Sequence, residues 1–134
     1  MIKSATPAER MVPGWVAPTQ RVVPRCLRPS YRLDLMAPGQ RCLLWRSGRQ
    51  EPGVHAIGAL SGEVGINGGP VVDVELWLLP SPVPREELLR SPALSAAEVL
   101  RMPAGSNPSY LSAKQYAALL GHLDAATLKL AGWA

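Results

Sequence analysis

Apolar and polar residues alternate most regularly over residues 71–79, where Val72, Val74, Leu76 and Leu78 fall on one face and Asp73, Glu75 and Trp77 on the other. Period-two alternation of this length predicts a half-buried antiparallel strand, which Pro80, Pro82 and Pro84 are expected to stop. Two further apolar runs, residues 41–47 and 53–60, are separated by the polar turn Gly48-Arg49-Gln50-Glu51-Pro52 and preceded by Pro38-Gly39. They predict a pair of strands joined by a turn. Residues 20–26 are strand-like, with Pro24 confining them to an edge, and residues 30–36 read as a short helix or turn. The glycine-containing stretch 62–69 reads as a hairpin tip: it lacks the lysine, the following helix and the spacing of a phosphate-binding loop.

The later part of the chain switches to helical signals. Pro84 suits the first turn of a short helix, with Glu86 and Glu87 near its positive end. Ser95-Ala96-Ala97-Glu98 and Ser112-Ala113-Lys114-Gln115 both have the spacing of a capping box. The first is expected to open a short helix through Arg101. The second is expected to open the longest helix, whose Tyr116, Leu119, Leu120 and Leu123 form an apolar stripe packing near Val72, Val74, Leu76 and Leu78. Between the two lies a polar loop, residues 102–110. Residues 1–19 are Pro- and Ala-rich without periodicity and are expected to form an irregular arm, followed by one domain over residues 20–134. The fold class is therefore α+β: about five strands, closed by short helices.

Composition supports one soluble globular domain. The chain has 134 residues, 47% hydrophobic and 18% charged, enough for one core and not two. Its 14 prolines and 12 glycines argue against a helical bundle. The net charge of +4 is unevenly spread: residues 1–50 hold nine Arg and Lys against Glu9 and Asp34, a local +7. Eight of those nine are arginine, the side chain suited to phosphates and stacked bases, so a polyanionic partner is expected if they share a face. Cys26 and Cys42 have no partner at metal-ligand spacing and fit a reducing cytoplasm as two structural thiols, with a disulfide between them as the alternative. Residues 1–10 lack the apolar core of a secretory signal, and no window approaches a membrane span.

Catalytic patterns are sparse. His55 lies within an alternating strand and His122 late in a helix. Ser47, Ser61 and Ser106 lack a nucleophile-elbow context, and the acidic residues form no acid–base pair or metal site. No enzyme activity, cofactor or metal is expected. The sequence does offer aromatic rings in polar, basic company: Trp45 before Arg46 and Ser47, Tyr31 between Ser30 and Arg32, and Tyr110 after Asn107 and Ser109. Such rings can stack on bases, although a strand tryptophan equally serves as core. Trp133 is expected to pack or lie at the surface without a role in recognition.

The blocks Y-R-L-D-L-M-A-P-G-Q-R-C-L-L-W-R-S-G, P-G-V-H-A-I-G-A-L, V-V-D-V-E-L, P-R-E-E-L-L and R-M-P-A-G-S-N-P-S-Y-L-S follow one another in an order that resembles the EVE domain, a PUA-like family related to YTH and ASCH domains. The resemblance spans roughly residues 28–123. It implies a small, open, PUA-like β-barrel with short flanking helices, and binding of a modified or flipped base in DNA or RNA within an aromatic-walled pocket. Trp45, Arg46 and Ser47 match the strand that ends at that pocket, and Arg28, Ser30, Tyr31 and Arg32 match the segment before the family's turn. The family's opening strand carries an aromatic, whereas residues 1–14 here have none; residues 16–23 with Trp15 are the alternative for that strand. The resulting expectation is a cytoplasmic, non-catalytic nucleic-acid-binding module. Tyr31, Trp45, Ser47 and Asn107 are expected to form its base pocket, and Arg28, Arg32 and Arg46 to hold its phosphates. The alternative is a PUA-like module for a small molecule or a protein that has lost base recognition.

Overall fold

The computed structural model describes residues 1–65, 68–102 and 107–134. Its centre is a five-strand mixed sheet in the order β1-β3-β4-β5-β2, curled into a half-barrel and flanked by short helices. The strands are β1 (Ile2–Ser4), β2 (Gln20–Cys26), β3 (Arg41–Arg46), β4 (Gly53–Leu60) and β5 (Val71–Pro84). β1 runs parallel to β3, and every other pairing is antiparallel. The α+β class expected from the alternation patterns, and the small open barrel that the resemblance implies, are thus the architecture observed. Residues 66–67 of the glycine loop and residues 103–106 of the polar loop, including Ser106, lie outside the described residues.

Period-two alternation splits the sheet's apolar residues into two cores. Leu43 and Trp45 of β3 join Val54, Ile57, Leu79 and Val83 on one face, whereas Cys42 and Leu44 join Ala56, Leu60, Val72, Val74 and Leu76 on the other. An irregularity between Val54 and Ala56 lets β4 contribute to both faces out of strict alternation. His55 sits at that irregularity, buried, with Nε2 hydrogen-bonded to the Glu51 carbonyl oxygen at 2.8 Å.

The first face is covered by α2 (Arg85–Leu89), α3 (Glu98–Arg101), α4 (Ala113–Leu120) and α5 (Ala125–Leu130), which bring Leu88, Val99, Leu119, Leu123 and Trp133 onto it. The helical stripe therefore does not meet Val72, Val74 and Leu76. Those residues are buried as expected, but against Ile2, Trp15, Val23 and Leu27 on the opposite face.

Three local expectations are corrected. Residues 1–19 are not irregular throughout: β1 is inserted beside β3, and α1 (Ala8–Met11) follows it. Ile2 is 1% exposed, so burying one isoleucine and extending the ladder outweigh the lack of periodicity. β5 continues through Pro80 and Pro82 to Pro84, because its pairing with β2 stops at Gln20 opposite Trp77, so a proline's missing N–H beyond that point breaks no bond to β2. The Ser95 capping box does not form: Ser95 Oγ donates to the Pro92 carbonyl oxygen, and Ala97 is the N-cap of α3. The Ser112 box forms in full. Among the described residues, no helix is long and apolar enough to cross a membrane.

Candidate binding cleft

Residues late in the chain build the concave site. Asp124 caps α5, accepting from the Thr127 N–H at 2.9 Å and the Thr127 hydroxyl at 2.6 Å. At the other end, Gly132 at φ +73 reverses the chain. The Gly132 N–H donates to the Lys129 carbonyl and the Trp133 N–H to the Leu128 carbonyl, at 3.2 and 2.8 Å. This is a Schellman ending, which turns the following residue back against the helix. Trp133 is thereby folded onto the sheet, where its indole N–H donates to the Gly58 carbonyl at 3.1 Å.

The Ser112–Gln115 box fixes the start of α4 and places Tyr116 beside that indole, with ring centroids 5.6 Å apart and planes tilted by 54°. Arg41, at the start of β3, lies across both rings at 5.8 and 5.9 Å, held by the Tyr116 hydroxyl and by the Gly132 carbonyl at 3.2 Å. Together with Leu35, Met36, Cys42 and the segment Pro108–Ala113, these residues line an open cleft of about 490 Å³. Tyr110 forms another wall and is 39% exposed. Burial, followed by its neighbour Tyr31, holds the Tyr110 phenol above its usual pKa, so it stays a neutral hydrogen-bond donor. Burial likewise raises the Cys42 thiol, and neither cysteine is in a disulfide.

Tyr110 is steadied by Arg32, whose guanidinium carbon lies 4.6 Å from the ring centroid. Arg32 is gripped by both Glu98 oxygens, at 2.5 and 2.9 Å, and donates to the Pro108 carbonyl at 3.1 Å. The bonds from Arg32 hold the Glu98 carboxyl below its usual pKa and Glu98 raises that of Arg32. Arg32 therefore supports the wall and is already paired, which makes it a poor phosphate ligand.

The residues expected to form a base pocket are not brought together. Trp45 is 2% exposed and packs with Leu43, Val54 and Ile57 under the helical layer, because odd positions of β3 face that core. Tyr31 is 69% exposed and stands outside the cleft lining. The Ser47 N–H donates to the Ser4 carbonyl at 2.9 Å, continuing the β1–β3 ladder. Asn107 is spent on backbone groups of Lys3 and Cys26. Nor do the arginines of residues 21–49 converge on the cleft: Arg41 alone of them lines it, and the Arg28 N–H donates to the Asn107 carbonyl at 3.0 Å.

Sequence reading missed Trp133, Tyr116 and Arg41 as site residues. The available signal was the cap pair around α5, Asp124 before it and Gly132-Trp133 after it, which together prescribe where the indole folds. Among the described residues, no three His, Cys, Asp or Glu side chains are placed to hold a metal ion. Comparison with family models, curated proteins and solved structures finds no match to this chain.

Proposed function

We propose that the protein is a cytoplasmic, non-catalytic nucleic-acid-binding module that takes an unstacked base, modified or flipped, into the cleft walled by Tyr110, Tyr116 and Trp133. The observation that supports this most directly is the pairing of an aromatic-walled, open cleft of about 490 Å³ with a guanidinium, Arg41, across two of its rings. Planar rings suit such walls whatever their sequence, and a flipped base costs a few kcal/mol that stacking offsets. The local +7 of the first fifty residues supplies the long-range attraction for a polyanion. The resemblance to the EVE domain points the same way, with the ring set moved from Trp45 to the late aromatics.

Titration of single-stranded DNA and RNA, modified and unmodified, against the protein and Tyr110→Ala tests this reading. The expected result is a loss of roughly 1–3 kcal/mol in the variant at unchanged melting temperature, with affinity falling steeply as salt rises. Equal binding by a folded Tyr110→Ala protein overturns the role of the cleft. The second reading, a site for a small planar molecule, is favoured by the engagement of Arg32 with Glu98 rather than with solvent. It predicts ligand binding nearly indifferent to salt and no affinity for oligonucleotides.

A further inference from the structure

The C-terminal ends of β1, β2 and β3 bring together three side chains that the cleft does not use. Ser4 ends β1 in register with Arg46 of β3, so both side chains leave the sheet on the same face. Arg25 reaches them from β2, on the far edge of the half-barrel, and its Nη2 donates to Ser4 Oγ at 2.9 Å. The Thr6 N–H donates to the same oxygen at 3.1 Å. Both contacts use lone pairs of that hydroxyl, which keeps its proton to donate.

Each guanidinium has one donor unmet among the described residues. Nε of Arg25 and Nε of Arg46 are buried and lack a hydrogen-bond acceptor among the described residues. Arg46 as a whole is 9% exposed. Its polar neighbours are the Glu51 carboxylate and the Gln50 side-chain oxygen, each 3.5 Å away and at the limit of a useful contact. The Glu51 side chain is itself 76% exposed, so the ion pair is held loosely. A buried guanidinium normally keeps a close anion, because charge removed from water without one is costly. Arg46, with the half-buried Arg25 reaching the hydroxyl of its register partner Ser4, lacks what a tetrahedral dianion offers: several acceptors and two negative charges.

We propose that Ser4, Arg25 and Arg46 form a binding site for a phosphate-type oxyanion, separate from the aromatic cleft, with Glu51 as the weak counter-ion that the ligand displaces. The ligand is a free phosphate or a phosphate of a polynucleotide backbone; the chemistry is common to both. The site does not depend on what the cleft binds.

The test is titration of inorganic phosphate against chloride at matched ionic strength, read by thermal melting and calorimetry. Phosphate is expected to raise the melting temperature saturably where chloride does not. Arg25→Gln and Arg46→Gln should weaken its binding roughly tenfold or more, as loss of a charge-assisted contact does. Glu51→Gln should tighten it by removing the competitor, and this change touches only an exposed side chain, so it remains informative if an arginine variant fails to fold. Phosphate stabilisation no greater than that of chloride in both the parent and Glu51→Gln overturns the site, as does phosphate binding that Arg25→Gln and Glu51→Gln both leave unchanged. A short single-stranded oligonucleotide added as a competitor then separates the sources. Displacement of bound phosphate, lost in Arg25→Gln, marks a polynucleotide backbone as the ligand; simultaneous binding marks free phosphate.

Discussion

Asn107 gives Lys3 the two hydrogen bonds that a neighbouring strand would give it. The Lys3 N–H donates to Asn107 Oδ1 at 3.0 Å, and Asn107 Nδ2 donates back to the Lys3 carbonyl at 3.3 Å. The same Nδ2 lies 3.4 Å from the Cys26 carbonyl. Lys3 belongs to β1 and Cys26 to β2, the two outer strands of the sheet. One amide side chain thus spans the open seam of the half-barrel and satisfies edge groups that otherwise invite another chain. Arg25 and Ser4 make a second stitch across the same seam.

Asn107→Ala is expected to destabilise the fold by about 1–3 kcal/mol, since it leaves partly buried backbone groups of Lys3 without partners. Faster hydrogen exchange at the Lys3 amide, with the β3–β4 amides unaffected, is the specific signature. Asn107→Asp keeps the acceptor but replaces the donor with a charged oxygen facing two carbonyls, and should be no more stable than the alanine variant. Unchanged exchange at Lys3 in both variants would falsify the stitching role.

Trp45 supplies the second prediction. At 2% exposure within the Leu43, Val54 and Ile57 core, its truncation to alanine should cost about 3–5 kcal/mol, while Trp45→Phe should cost much less. Denaturant unfolding of the two variants measures this. Any loss of oligonucleotide binding by Trp45→Ala should then follow the unfolded fraction and vanish under conditions where the variant is fully folded.

The three central strands were legible in the sequence because each carries enough apolar residues to impose a period, and the turn before β4, Gly48 to Pro52, is polar and bounded by a glycine and a proline. β1 was not legible, since three residues cannot show a period and its partner lies some forty positions away in sequence. The face that receives α4 was also hidden. Alternation shows that β5 has an apolar side, but only topology decides that Leu119 and Leu123 meet Leu43 and Trp45 instead. Trp45 misled for a related reason: polar neighbours such as Arg46 and Ser47 say nothing about a residue whose side chain points the other way. The cleft required two helix caps and a C-terminal turn to act together, and each is a weak signal alone.

Acid should weaken the fold partly through Glu98. Its folded-state carboxyl lies below the usual value because Arg32 donates to it. The stability it contributes is therefore fully present above the unfolded value, roughly 4.3, and is lost as pH falls through the lower folded value. Glu98→Gln, which replaces a charge-assisted fork on a largely covered pair, should cost about 1–3 kcal/mol at neutral pH. It should also flatten the acid limb of a stability–pH profile. An acid limb of the same steepness in the variant would assign that limb to other carboxylates. Because Arg32 also steadies Tyr110, the same variant should loosen that ring.

Gly58 tests how closely the sheet is built. It lies opposite Leu76 where β4 meets β5, and a Cβ placed on it would stand 1.7 Å from the Glu75 carbonyl oxygen and 2.8 Å from its carbon. Those are backbone atoms of a paired strand, which cannot rotate aside as a flexible side chain can. The Gly58 carbonyl also receives the Trp133 indole N–H, so any shift of β4 at this point pulls on the wall of the cleft. Gly58→Ala is therefore expected to cost about 4 kcal/mol or more, the range reached when strain enters a core, and to deliver little folded protein. Gly62→Ala, whose added carbon meets nothing within 4 Å, is the matched control and should melt within a few degrees of the parent. Comparable melting of the two variants would mean that β4 and β5 can separate at Gly58 without cost, and that the indole contact does not depend on their spacing.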